Sequence, residues 1–443
     1  MAHLQAFYAN DFFSDPFGVC MPVAYQQLTS TTQLASSHPS SSSHAALVII
    51  GTGMAGVGLA RALRRLGDQR SITLVSADSG DDYSKPLLST GFAKRLTPEK
   101  LAQRSAAEIG EELNARVVIH TQVTTLDVDN KTVVLEDSNG TSEDRLTYDT
   151  LVLATGAEPR VPFSISSDNT ASHNIAPSVV PRCFTINDLD DYRRFHKALG
   201  HGSSRVAIVG AGLVGCEFAN DLHAGGHQVS VIAPEATLLA RLLPPPLGNA
   251  LGDAFSEAGI HLHLGRSIDS IAAENGEDIL LRLDNGDTVS ADLVLMATGL
   301  TPRTALAHAA GLAVSASGID VDRYLRTSHQ DVYALGDVAC VDGVNAMYVQ
   351  PLQASTKALA ATLAGTPTPV SFGAWPIVVK TPLLPVVAYP PHTRPERWRI
   401  EGQGSDISAL AENKDGRLIG FALTGGCVRR KVELSRAAPA LLG

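Results

Sequence analysis

"VIIGTGMAG", Val48 to Gly56, and "VAIVGAGLVG", Val206 to Gly215, are near copies of one phrase set about 160 residues apart. Each puts apolar, β-prone residues directly before a Gly-x-Gly-x-x-Gly loop. In such a loop the first glycine makes a tight turn and the second lets the backbone approach a pyrophosphate. The third lets the following helix pack close to the strand. The helix N-terminus then offers free N–H groups and a partial positive charge to the anion. One copy suits one dinucleotide. Two copies point to two dinucleotides, with electrons moving between them.

The first loop contributes Gly51, Thr52, Gly53 and Gly56 as candidate binding residues. Asp78 follows 22 residues after Gly56, at the end of the next strand signal, where a carboxylate accepts from a ribose hydroxyl. The second loop contributes Gly210, Gly212 and Gly215. Its acid is less regular: the strand ends on Ala233, and Glu235 comes just after Pro234. A solvated turn residue is the plain alternative for Glu235. No Lys or Arg adjoins it, and Arg241 is the nearest cation along the chain. A 2′-phosphate therefore lacks a basic partner, which favours NADH over NADPH.

Outward from the loops the same plan appears twice: strand, glycine loop, helix, strand, β-meander, then an Ala-Thr-Gly strand end. The βαβ order calls for parallel sheets. Helices are expected over Ala55–Leu66 and from Leu213 to about Gly225, and Asn285-Gly286 signals a hairpin. We expect an α/β fold with two Rossmann-like dinucleotide-binding domains plus a small C-terminal α+β domain. The expected boundaries are 45–165 with 292–370 for the first, 166–291 for the second and 371–443 for the third. Residues 1–44 are rich in Ser and Thr and read as a disordered extension.

The bulk properties are those of an ordinary globular protein. The formal net charge of −10 argues against nucleic acid or an anionic membrane as the main partner. No apolar run is long enough for membrane insertion, and no basic stretch precedes an apolar core at the N-terminus, so no secretory signal is expected. The five cysteines (Cys20, Cys183, Cys216, Cys340, Cys427) are scattered, without a CxxC pair, which fits a reducing, cytoplasmic location. The 14 His show no metal-ligand spacing, so no metal is expected.

"TSHQDVYALGDVA", Thr327 to Ala339, resembles the second flavin motif of the glutathione-reductase-like flavoprotein reductases, the FAD-dependent pyridine nucleotide oxidoreductases. The resemblance implies that the first loop holds FAD and the second NAD(P)H, and that Asp337 bonds the ribitol of FAD. It also implies that the paired "ATG" stretches, which include Thr155 and Gly156, are crossovers between domains. The segment that carries a redox CxxxxC in some members is "DYSKPLLSTGF" here, Asp82 to Phe92, without cysteine. No thiol relay is therefore written in this chain. The segment resembles the "RPPLSK" of oxygenase-coupled ferredoxin reductases, with Lys85 in place of the Arg and Thr90 in place of the Lys. The resemblance implies a cation near the isoalloxazine at Lys85. It also puts Glu217 opposite the stacked flavin and nicotinamide, while leaving open what replaces the missing Lys as its partner.

"YSKPLLSTGFAK", "GCEFANDL" (Gly215 to Leu222), "VVKTP" (Val378 to Pro382) and "GRLIGFALTG" (Gly416 to Gly425) together resemble the bacterial rubredoxin-reductase branch. That resemblance implies rubredoxin, a small acidic protein, as the electron acceptor, serving alkane hydroxylation or oxygen detoxification. Two alternatives stay open: an NADH-dependent ferredoxin reductase of an oxygenase system, and a flavin-holding protein that works mainly by binding a partner. Residues 371–443 hold ten Lys or Arg against six Asp or Glu, a net +4 that leaves the rest of the chain at −14. A basic C-terminal unit would steer an acidic partner.

Overall fold

The computed structural model describes residues 43–137, 140, 143–165, 174–274 and 278–443. The expected N-terminal extension lies outside the described residues except for Ser43 and His44, which open the first strand.

Four-residue strands such as "ITLV" (Ile72–Val75) are buried along their whole length. They can only be central strands with helices on both faces. The first sheet runs, from one edge, through Arg116–Val118, Ile72–Val75, Ser43–Ile50 and Glu143–Leu153, all parallel, with Val332–Ala334 also parallel to Glu143–Leu153. The antiparallel strands Thr132–Asp137 and Thr121–Asp127 extend it as a meander. The first strand is longer than its apolar core, Leu47–Ile50. Ser43–Ala45 add further rungs against Leu146–Tyr148 because the partner strand is eleven residues long.

The second sheet repeats the parallel core in the order Cys183–Phe184, Leu293–Met296, Arg205–Val209, Gln228–Ala233 and His261–Leu264. Leu293–Met296 was expected beyond the 291 boundary, at the return into the first unit. It lies instead in the second sheet, parallel to Arg205–Val209. It is the counterpart of Glu143–Leu153, the strand that must flank the glycine loop. The return follows at Ala297–Gly299. There the two ATG crossovers meet: Leu300–Pro302 pairs antiparallel with Ala157–Pro159. The second meander, Ile268–Glu274, Asp278–Leu283 and Thr288–Ala291, forms a separate sheet, and its last turn carries Gly286 at φ +87°.

The C-terminal unit is a five-stranded antiparallel sheet, in the order Ile377–Val379, Val386–Tyr389, Leu418–Thr424, Asp406–Glu412 and Arg397–Gln403, closed by the helix Lys431–Ala437. Its edge strand Arg397–Gln403 is almost wholly exposed and carries the charges of Arg397, Arg399 and Glu401, which disfavours edge-to-edge pairing. The helices after the two glycine loops span Met54–Arg65 and Leu213–Ala224. A third long helix spans Val349–Leu363, with Pro351 in its first turn. Pro351 is no obstacle, because first-turn N–H groups have no partner within a helix.

The glycines of both loops show which backbone positions are crowded and which are open. A Cβ on Gly51 or Gly210 would meet the carbonyl oxygen of Ala154 or Ala297 at 2.2 and 2.4 Å, and both residues hold a positive φ. A Cβ on Gly56 or Gly215 would lie 1.9 and 2.0 Å from the Gly51 or Gly210 oxygen. A Cβ on Gly53 or Gly212 would meet nothing within 4 Å. The middle glycine of each loop thus faces open space. Gly56→Ala is expected to cost about 3 kcal/mol or more by overpacking. Gly53→Ala should leave the unliganded protein nearly as stable as the parent while weakening dinucleotide binding. Urea unfolding alongside flavin titration checks the contrast.

Candidate functional site

In both loops the helix N-terminus is bare of acidic residues in its first turn, so its partial positive charge is not cancelled. With the open middle glycines, both loops fit a pyrophosphate. At the first loop the Thr52 hydroxyl is turned back into the sheet. It donates to Ser76 Oγ at 2.7 Å, and Ser76 Oγ in turn donates to Asp78 Oδ1. Asp78 Oδ1 also accepts from Gly80 N at 2.9 Å. Thr52 therefore orients Asp78 through Ser76. The carboxylate is held by one oxygen and is only half-buried at the strand end.

Thr155 and Gly156 sit where the first sheet hands over to the crossover. Ala154 N bonds Ile50 O, while Thr155 Oγ1 and Gly156 O are tied to the Arg303 main chain. Val332–Ala334 delivers Asp337 to the same end of the sheet, with Leu335 N on Leu153 O. Gly336 allows a tight approach here, since a Cβ on it would meet Ala55 Cβ at 3.0 Å and Leu352 Cδ1 at 3.5 Å. Asp337 thus lies at the junction of the helices Met54–Arg65 and Val349–Leu363.

Lys85 enters from the short 3₁₀ turn Lys85–Thr90. Its ammonium donates to Asn187 Oδ1 at 2.7 Å, and Asn187 Nδ2 donates to Ala157 O at 2.9 Å. Burial holds the Lys85 pKa below that of an ordinary lysine, and the Asp337 carboxylate opposes that shift. Burial likewise raises the Asp337 pKa, against Lys85. Lys85 and Asp337 thus share one low-dielectric site without forming an ion pair.

Glu217 is 3% exposed on the helix Leu213–Ala224. Its carboxylate accepts from Ser89 Oγ at 2.7 Å and from Lys380 N at 3.1 Å, and it forms an ion pair with Lys380 Nζ. Thr90 turns its hydroxyl onto Leu87 O instead. Glu217 therefore does have a lysine, supplied by the C-terminal unit. The sequence signal for this was "VVKTP", a lone lysine in an apolar stretch, but nothing local ties it to Glu217.

At the second loop Glu235 is half-buried just past the strand. Its backbone oxygen accepts from Gly265 N at 2.9 Å, and Arg266 N donates to Ala233 O at 3.0 Å. The fold thus brings the Arg266 backbone to the strand end that leads into Glu235. The Arg266 side chain turns toward Asp284, 4.0 Å away. Among the described residues Cys183, Cys216, Cys340 and Cys427 are free thiols. Burial pushes Cys183 up to about 11 and raises Cys216 and Cys340 as well, so none of these three is a thiolate at neutral pH.

Residues 45–361 match the family described as pyridine nucleotide-disulphide oxidoreductase. The chain belongs to that family. Residues 369–438 match the rubredoxin binding C-terminal domain. The rubredoxin-NAD(+) reductase of Alcanivorax borkumensis is 40% identical over 397 residues, 89% of this chain and 99% of that protein. The protein of the same name from Acinetobacter baylyi is 36% identical, covering 89% and 98%. A solved ferredoxin reductase from Rhodopseudomonas palustris superposes with a TM-score of 0.75 at 26% identity, covering 89% of this chain and 95% of that one. No helix among the described residues is long and apolar enough to cross a membrane.

Glu235 and the outward-turned Arg266 set an expectation for nucleotide choice. Efficiency with NADH should exceed that with NADPH by at least about tenfold, roughly 1.4 kcal/mol in transition-state binding. Glu235→Gln should narrow the ratio mainly by improving use of NADPH. Steady-state kcat/KM with the two nucleotides checks both.

Proposed function

We infer that the chain carries electrons from NADH through FAD to rubredoxin. The observation that carries this reading is the placement of the C-terminal unit, the part similar to rubredoxin-binding domains. Its loop 378–383 is fastened to the glycine-loop helix through Lys380 on Glu217 and through Leu383 N on Asn220 Oδ1 at 3.0 Å.

When bound, FAD supplies the two-electron acceptance and one-electron release that join NADH to an iron centre. The residues supply binding, orientation and charge. We assign Gly51, Gly53 and Gly56 to the FAD pyrophosphate, Asp78 to its ribose and Asp337 to its ribitol, with Thr155 and Gly156 at the crossover beside it. Lys85 holds positive charge near the flavin, where it favours the anionic reduced form. Gly210, Gly212, Gly215 and Glu235 hold NADH. Glu217 and Lys380 close the site between the two nucleotides. The free cysteines and the nucleotide substrate fit a cytoplasmic location.

The likeness to the solved ferredoxin reductase keeps a [2Fe–2S] ferredoxin as the second reading. Reduction of rubredoxin against ferredoxin by NADH in the presence of the purified protein separates the two.

The C-terminal cations are not equally available to a partner. Arg397 and Arg399 pair with Glu412, and Arg430 pairs with Glu401 and Glu433 and donates to Ser408 Oγ at 3.0 Å. Arg429 and Lys431 are exposed and have no ion pair among the described residues. They are the pair to reverse, since changing Arg430 would also disturb the unit itself. We expect the second-order rate with rubredoxin to fall steeply as salt shortens screening to about 8 Å near 0.15 M. Arg429→Glu with Lys431→Glu should lower that rate at low salt by roughly tenfold and flatten its salt dependence. Flavin reduction by NADH should stay unchanged. Stopped-flow rates across an ionic-strength series read all three.

A further inference from the structure

Residues 85–93, which present Lys85 and Ser89, belong to the first unit but are held by the second at three points. Lys85 is held by Asn187, and Ser89 by Glu217. The third hold is Asp221. It lies one turn beyond Glu217 on the same helix, is 3% exposed, and has no ion pair among the described residues. Its two carboxylate oxygens accept from Phe92 N and Ala93 N, each at 3.0 Å. Without that acceptor the Phe92 amide would be buried and unpaired, a costly arrangement. The segment end is also pressed from the side. A Cβ on Gly91 would meet Tyr192 Oη at 2.4 Å, and the Phe92 ring packs 4.9 Å from that of Tyr192.

We propose that Asp221 is a positioning residue: it seats the end of residues 85–93 on the Glu217 helix and so fixes the height at which Lys85 and Ser89 meet the flavin. The proposal rests on the reading that this segment faces the flavin. A carboxylate is required because both partners are donors. Asparagine offers one acceptor oxygen and turns an NH₂ group against the second amide.

The charge state of Asp221 separates positioning from mere structure. Burial pushes its carboxyl up to about 6, opposed by the two amides and by the Lys94 and Lys380 cations. Tyr192 also faces it, and Glu217 stands one turn earlier on the same helix. A carboxyl whose pKa is raised in the folded state binds its proton more tightly there than in the unfolded chain. Its contribution to stability is therefore complete below about pH 4 and is lost as pH rises through about 6. The clamp behaves oppositely, since protonation weakens the acceptor. Between pH 7 and 5 the Asp221 contribution to stability should rise while the rate of flavin reduction falls.

The test compares the FAD-loaded wild type, Asp221→Asn and Lys85→Met by stopped-flow flavin reduction with NADH from pH 5 to 8, alongside Tm and amide exchange at Phe92 and Ala93. Asp221→Asn should slow flavin reduction about tenfold at pH 7.5 and abolish the inflection near pH 6. It should speed exchange at the two amides at least tenfold and leave the NADH concentration for half-maximal rate within twofold. A rate within twofold of wild type with the inflection retained would overturn the proposal. If the variant fails to hold FAD, exchange in the wild type decides. Protection of the two amides, corrected for intrinsic chemistry, should drop below pH 6, and a flat profile overturns the clamp. Lys85→Met tells the two failures apart. Normal reduction in Lys85→Met with impairment in Asp221→Asn removes the Lys85 reading and keeps the clamp. The reverse pattern removes the clamp alone.

Discussion

The buried carboxylate of Glu217 is the constraint around which the three units arrange themselves. A charge removed from water costs several kcal/mol unless donors and a countercharge replace the lost hydration. Glu217 sits on the helix of the second glycine loop, takes a hydroxyl proton donor from Ser89 of the first unit, and takes an amide and an ammonium from Lys380 of the C-terminal unit. One carboxylate therefore draws on all three. Asn220 and Asp221 repeat the device on the same helix face, the first toward Leu383 and the second toward Phe92 and Ala93. The helix that starts at the second glycine loop is thereby also the strut that sets residues 85–93 and the Lys380–Leu383 turn.

Around that strut the two glycine loops repeat one solution. The outer glycines are crowded by the neighbouring strand and by their own turn, while the middle glycines open outward. Both helix N-termini keep their partial charge free for an anion. The two loops are alike at their glycines and differ in their surroundings: Lys85 and Asp337 lie toward the first, and Glu235 follows the strand after the second.

What the sequence made legible is what local sterics dictate. The loop glycines, the helices that follow them and the apolar parallel strands are each specified within about thirty residues, so the two Rossmann-like units and the antiparallel C-terminal unit could be expected from periodicity and turn chemistry. Partnerships across long separations could not. Lys380 lies 163 residues from Glu217 along the chain, and only the packing of the C-terminal sheet on the helix brings them together. Ser89 and Thr90 are adjacent hydroxyls, and which one faces Glu217 depends on the phase of a six-residue 3₁₀ turn. The Arg266 backbone meets the end of the strand that leads into Glu235 through a parallel strand pair, a proximity that sequence separation does not show. The strand Leu293–Met296 falls on the wrong side of the expected 291 boundary because its apolar run looks alike in either sheet.

The account depends most on Glu217 and Lys380 acting as a pair. The direct measurement is a double-mutant cycle with Glu217→Gln and Lys380→Met, read by urea unfolding of the FAD-loaded protein. Lys380→Met alone strands the buried carboxylate and should cost about 3 kcal/mol, short of the upper range for buried pairs because the ammonium is partly exposed. Adding Glu217→Gln should recover most of that loss, giving a coupling of about 2 kcal/mol. Single effects that add to within about 0.5 kcal/mol would mean that the pair does not join the three units.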